Sequence, residues 1–321
     1  MTADGRAVRV LFMGTPDIAA ECLRQLIASP DAEIVGAVTR PDRQKGRGMK
    51  TLPPPVKVVA EENGIPVFQP ATLKDGAFED ELRGIDPDMI IVAAYGMILP
   101  PYVLNYPPLG CVNAHASLLP KYRGAAPINR AVMNGETKTG VTAMFMDEGL
   151  DTGDVIFSLE TPVGENETAG DVHDRLAVMA GEAMCRVVKT AREGTLPRTP
   201  QPAEGATYAA KITKEDQKID FSSPAGTVHN VIRGLSPYPG AFTSLPGGKL
   251  LKVTASRVAD GSAAPPGTVT SLSGGITVAC GGGSVILTEV IPEGRSKMDV
   301  EAFIRGRGVA EGDVLGADPA R

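Results

Sequence analysis

Near its start the chain carries VRVLFMG (8–14), an apolar run interrupted only by Arg9 and closed by a glycine, the pattern of a parallel strand buried on both faces. DIAAECLRQLIAS (17–29) follows. Ile18, Cys22, Leu23 and Leu26 stand at helical spacing there, behind Pro16 as a helix starter and Asp17 as a first-turn carboxylate. EIVGAVT (33–39) is the next strand, so the chain begins as a βαβ unit. The alternation continues through a helix at 53–64, strands at 89–96 and 110–117, a helix at 126–135, strands at 139–147 and 155–163, and a helix from Ala169 to Glu193. Strands alternating with helices predict an α/β fold with a Rossmann-like, doubly wound sheet.

Periodicity is lost at 194–207, GTLPRTPQPAEGAT, where Pro, Gly and Thr dominate, and this stretch reads as an interdomain linker. Beyond it come one helix, PAGTVHNVIRGL (224–235), and the short runs LLKVTAS, GTVTSL, GITVAC and SVILTEV between glycine clusters. That spacing predicts a smaller β-barrel, OB-like, at the C-terminus. A length of 321 residues also exceeds what one hydrophobic core usually serves, so the expected organisation is 1–193, a linker at 194–207, and 208–321.

Composition narrows the picture in a few places. Aromatics make up 4% and tryptophan is absent, so the cores are built from Val, Ile, Leu, Ala and Met. A net charge of −6 argues against a protein basic all over, but not against a local basic patch. The four cysteines are far apart with no C-x-x-C, which points to neither a disulfide framework nor a metal site. The N-terminal apolar run is broken by Arg9 and no run reaches membrane-spanning length; a cytoplasmic protein with no membrane contact is expected. Gly14 stands alone, so the G-x-G-x-x-G dinucleotide fingerprint is missing and a nucleotide-dependent oxidoreductase is disfavoured.

The candidate chemistry lies in NAHASLLPKYRGAAPIN (113–129). Asn113 and His115 fall at the end of a predicted strand, where residues two apart share a face and where open α/β sheets bind ligands. Of the three histidines, His173 sits between Asp171 and Asp174 on a helix, and His229 lies in the second-domain helix; neither has such a neighbour set. His115 is therefore the candidate for proton transfer. An orienting carboxylate could come from Asp147, Glu148, Asp151 or Asp154 in the loop MDEGLDTGDV, and the residues alone do not choose among them.

These two stretches, with VLFMGTPD, PPPVKVVAEENGIPVFQP, VAAYGMILP, GLSPYPGAF and PEGRSKM, resemble the folate-dependent formyltransferase superfamily over nearly the whole chain. HAS stands where some members have HGS. The resemblance implies a catalytic trio of Asn113, His115 and Asp151, a folate-contact segment of Ser117, Leu118, Leu119 and Pro120, and a second wall of the slot at Gly96, Met97, Ile98 and Leu99. It implies 10-formyltetrahydrofolate as formyl donor and no metal. It also makes residues 1–193 the formyl-transfer domain and residues 208–321 an RNA-binding platform.

The acceptor is separated by RPDRQKGRGMK (40–50). Arg40, Arg43, Lys45, Arg47 and Lys50 stand there against one acid, Asp42, just after the second strand. By charge alone this is a solvated loop; beside a formyl-transfer pocket it suits an RNA end, whose affinity is dominated by phosphates. The resemblance implies that the loop, through Arg43, Lys45, Arg47 and Lys50, meets the acceptor stem of initiator methionyl-tRNA. Relatives acting on a glycinamide ribonucleotide resemble only the first domain. A monomer is expected. A non-enzymatic RNA-binding module would have no use for the trio.

Overall fold

The computed structural model describes residues 6–45, 50–194, 196–261 and 263–317. The chain divides into two compact units: Met1–Gly124 with Thr139–Thr161 and His173–Tyr208, and Ala125–Lys138 with Pro162–Val172 and Ala209–Arg321. The expected linker is not a tether between them. Residues 196–207 belong to the first unit, where Val155 and Thr199 exchange backbone hydrogen bonds of 2.8 and 3.0 Å. Two stretches of the expected first domain, 125–138 and 162–172, belong instead to the second unit.

In the first unit, β1 (Val8–Gly14), β2 (Ala32–Val38), β3 (Val67–Phe68), β4 (Met89–Ala93) and β5 (Cys111–His115) run parallel, with β6 (Lys138–Phe145) antiparallel to β5. With β7 (Val155–Pro162) the sheet order is β7-β6-β5-β4-β1-β2-β3. The strand order reverses at β1, as a doubly wound sheet requires. β4 is buried at all five positions, which is why its sequence is a continuous apolar run and not an alternation. Helix α1 (Asp17–Ala28) buries Ala19, Cys22, Leu23 and Leu26, one stripe at helical spacing. Gly14 is a packing glycine. A Cβ there would lie 2.6 Å from the Ala19 Cβ and 2.9 Å from the Ala93 carbonyl oxygen. α2 (Pro55–Glu62) and the long α3 (Ala169–Glu193) lie close to their predicted ranges.

The second unit holds α4 (Ala225–Gly234) and the antiparallel strands β8 (Ala241–Ser244), β9 (Leu250–Ala259), β10 (Val269–Ser271), β11 (Ile276–Ala279) and β12 (Ser284–Pro292). Their order, β8-β9-β12-β11-β10, is that of a half-barrel. α4 turns Ala225, Val228 and Ile232 into its core. His229 is 3% exposed and fully partnered by Ser256 Oγ at 3.0 Å and the Glu165 carbonyl at 3.2 Å; burial lowers its pKa and favours the neutral ring. It is a structural histidine.

Candidate active site

β5 delivers the candidate pair to the carboxyl edge of the sheet. It is a central strand, with Asn113 in register with Val92 on one side and Met144 on the other, and His115 opposite Thr142. Cys111, Asn113 and His115 share a face. Cys111 is buried there; Asn113 is half-buried, and among the described residues nothing hydrogen-bonds its side-chain amide.

His115 is 5% exposed. Its Nε2 lies 2.9 Å from the Tyr122 carbonyl oxygen. A carbonyl can only accept, so Nε2 carries a proton and the tautomer is set. Nδ1 faces Asp151 Oδ2 at 3.6 Å, beyond hydrogen-bond length. Nδ1 is thus the ring nitrogen open to exchange a proton, with a carboxylate beside it.

Asp151 is the one of the four candidate acids brought to the imidazole. Its backbone is left-handed, with φ of 54°, and its Oδ2 accepts the Gly124 N–H at 2.7 Å. The other acids have different work. Asp147 accepts the Gly149 N–H at 3.0 Å and the Thr152 hydroxyl at 2.8 Å, a turn-forming role. Asp154 pairs with Arg198 at 3.8 Å, and Glu148 is exposed.

Ser117–Pro120 is clamped by a residue that sequence reasoning missed. Thr142, fully buried on β6, donates to the Ser117 carbonyl at 2.7 Å and accepts the Leu119 N–H at 3.1 Å. Ser117 Oγ donates to the Lys121 carbonyl at 2.7 Å, and Leu119–Pro120 is cis. A Thr within an apolar strand was the available signal, since a hydroxyl there needs a partner. Leu118, Leu119 and Pro120 are left half-buried. Leu118 reaches back to Gly140, where an added Cβ would meet its Cδ2 at 2.7 Å and collide with the Leu159 carbonyl oxygen. Backbone cannot give way as a side chain can. Gly140→Ala is therefore expected to destabilise the protein by at least about 3 kcal/mol. A thermal melt within about a degree of wild type would contradict this packing.

Gly96, Met97, Ile98 and Leu99 do not act alike. Gly96 is exposed at φ of 82° and Ile98 is 91% exposed, whereas Leu99 is 4% exposed and packs into the core with Met97 against it. The adjacent Tyr95 has its hydroxyl buried with no partner among the described residues, and burial pushes that group up to about 12.

The basic segment is not a featureless loop. Arg43–Lys45 pairs antiparallel with Lys50–Leu52 as a short ribbon, with Lys45 in register with Lys50. Arg47 lies outside the described residues, as do the Lys45 and Lys50 side chains. Asp42, the one acid, is held by Lys57 at 2.9 Å and by Gln69 at 2.7 Å, contacts that depress its pKa, the Gln69 hydrogen bond first. Arg43 is exposed and has no partner among the described residues.

Among the described residues, no group of three or more His, Cys, Asp or Glu side chains could hold a metal ion. No described helix is long and apolar enough to cross a membrane.

Two family models match: Formyl transferase over residues 7–188, and Formyl transferase, C-terminal domain, over residues 211–308. The chain is 46% identical over 308 residues to the methionyl-tRNA formyltransferase of Symbiobacterium thermophilum, covering 95% of this chain and 94% of that one. It is 47% identical over 311 residues to the methionyl-tRNA formyltransferase of Syntrophus aciditrophicus, covering 96% and 99%. In fold it is similar to the N-formyltransferase of Helicobacter canadensis, solved with folinic acid and dTDP-3-aminofucose. That TM-score is 0.64 at 18% identity, over 87% of this chain and 98% of that one.

Proposed function

The chain belongs to the methionyl-tRNA formyltransferase family, and on that footing we propose that it transfers the formyl group of 10-formyltetrahydrofolate to the α-amine of initiator methionyl-tRNA, giving N-formylmethionyl-tRNA for translation initiation. The observation that carries this reading to particular residues is the convergence at the end of β5. An unpartnered amide, Asn113, shares a strand face with an imidazole whose open nitrogen faces Asp151.

That arrangement explains why the site carries an amide and an imidazole but no activated nucleophile. The attacking group is the α-amine of the acceptor, with an ordinary pKa near about 8, so that a usable fraction is neutral at physiological pH. The folate donor supplies the formyl carbon. Asn113 donates its side-chain N–H to the formyl oxygen as negative charge gathers there, and one such preorganised donor is typically worth about 3–4 kcal/mol. His115, fixed by Tyr122 through Nε2, takes the amine proton at Nδ1 and returns it to the folate nitrogen as the bond from that nitrogen to the formyl carbon breaks and tetrahydrofolate leaves. Asp151 lies beside that proton and favours the charged ring over the passage.

The residues fit a folate. Half-buried Leu118, Leu119 and Pro120 offer an apolar wall, Ile98 offers an exposed apolar surface after the neighbouring strand, and the unpartnered Tyr95 hydroxyl is a polar group in want of a partner. Leu119→Ala is expected to raise the formylfolate KM more than the methionyl-tRNA KM. The opposite order would assign the segment to the acceptor. The reaction itself is tested by incubating the protein with 10-formyltetrahydrofolate and charged initiator tRNA and following formyl incorporation. A glycinamide ribonucleotide or an amino-sugar nucleotide accepting in place of tRNA would overturn the reading.

A further inference from the structure

We infer that Gln201 is a positioning residue for Asp151, and that the stretch carrying it is a structural part of the active site. The inference rests on the role proposed for Asp151.

Gln201 has two jobs that only an amide can combine. Its Oε1 accepts from Arg123 Nε at 3.1 Å and Nη2 at 2.8 Å, and its Nε2 donates to the carbonyl oxygens of Asp151 at 2.9 Å and Gly153 at 2.8 Å. These partners fix which end of the amide is oxygen, since a guanidinium only donates and a carbonyl only accepts. Arg123 is 7% exposed. A guanidinium so buried ordinarily takes a carboxylate, yet a carboxylate here could not donate to the two carbonyls. Glutamine satisfies both sides.

The clamp acts where the backbone needs it. Asp151 is a non-glycine residue at φ of 54°, a conformation that persists when its surroundings enforce it. Gln201 holds that residue's carbonyl while the Gly124 N–H holds its carboxylate. The same stretch secures the other partner of the imidazole. Thr207 Oγ1 accepts the Tyr122 N–H at 2.8 Å, and the Thr207 carbonyl accepts the Arg123 N–H at 2.9 Å. Tyr122 is the residue whose carbonyl fixes His115 Nε2. Gln201 and Thr207 thus brace the two groups that set the imidazole, and a shift of about 1 Å in such a group can cost about 10²-fold in rate.

The test is Gln201→Glu in the full chain, assayed for formyl transfer from 10-formyltetrahydrofolate to methionyl-tRNA. This variant keeps the Arg123 pairing and removes both donations. The expected result is a kcat lower by about 10- to 100-fold, a formylfolate KM within about twofold of wild type, and a folded protein whose melting temperature falls by a few degrees, because the Asp151 and Gly153 carbonyls lose their donor. In an Asp151→Asn background the same change is expected to cost less than about twofold, because it acts through Asp151. Should Gln201→Glu fail to fold, Gln201→Asn, an amide too short to span both sides, carries the same comparison. An impaired Asp151→Asn beside a Gln201 variant that is fully active, or that costs the same factor in both backgrounds, overturns this inference alone. A fully active, folded Asp151→Asn overturns the role of Asp151 and this inference with it.

Discussion

Asn113→Ala, His115→Ala and Asp151→Asn are each expected to lower kcat for methionyl-tRNA formylation by at least about 10²-fold, the loss associated with one oxyanion donor or its support. The three should differ in everything else. The Asn113 side chain has no hydrogen-bond partner among the described residues, so its truncation orphans no other group and the variant's melting temperature should stay near wild type. His115 is buried and donates to the Tyr122 carbonyl, so alanine there leaves a cavity and removes that hydrogen bond, and should cost about 1–3 kcal/mol of stability besides. Asp151→Asn keeps an oxygen for the Gly124 N–H and loses only the charge facing Nδ1. It isolates the electrostatic contribution of the carboxylate. Thermal melts and steady-state kinetics on the same preparations separate these effects, and near-wild-type turnover by a folded Asp151→Asn protein removes that residue from the mechanism.

The parts of the molecule legible in its sequence were those that physics writes periodically. β4 is apolar throughout because both its faces are buried, and the amphipathic stripe of α1 reappears as buried Cys22, Leu23 and Leu26, though Ile18 is only half-buried. The edge position of Asn113 and His115 follows from the same pattern, since the strand must stop where the apolar run stops. Side-chain clamps leave no such trace. Residues 196–207 look like a linker because Pro, Thr and Gly carry no period, yet single side chains, Gln201 and Thr207, bind them to the first unit. Residues 125–138 and 162–172 read as ordinary pieces of the α/β pattern; which unit buries them is decided by three-dimensional packing, which chain order does not record. The ribbon of Arg43–Lys45 with Lys50–Leu52 escaped because Arg-Gln-Lys on one side and Lys-Thr-Leu on the other give no apolar alternation. Among Asp147, Glu148, Asp151 and Asp154, only the geometry around His115 separates a neighbour of the imidazole from a turn-former.

That ribbon carries the second large effect. Arg43→Ala combined with Lys45→Ala is expected to lower kcat/KM for methionyl-tRNA by at least about tenfold at physiological ionic strength and to leave formylfolate binding unchanged. Asp42 is occupied by Lys57 and Gln69, so it does not offset the neighbouring cations, and Arg43 is exposed with no partner among the described residues. An RNA backbone that meets these cations releases its own counterions in doing so. The diagnostic is therefore the salt dependence. The slope of log kcat/KM against log salt should flatten by roughly one unit for each phosphate contact removed, while the formylfolate KM, which involves no such contact, keeps the wild-type dependence. A charge-reversing Arg43→Glu should deepen the loss at low salt and converge toward the alanine variant at high salt, because screening removes repulsion as well as attraction. A double variant that formylates methionyl-tRNA like wild type at every salt concentration would make the ribbon a solvated connection and place tRNA recognition elsewhere on the chain.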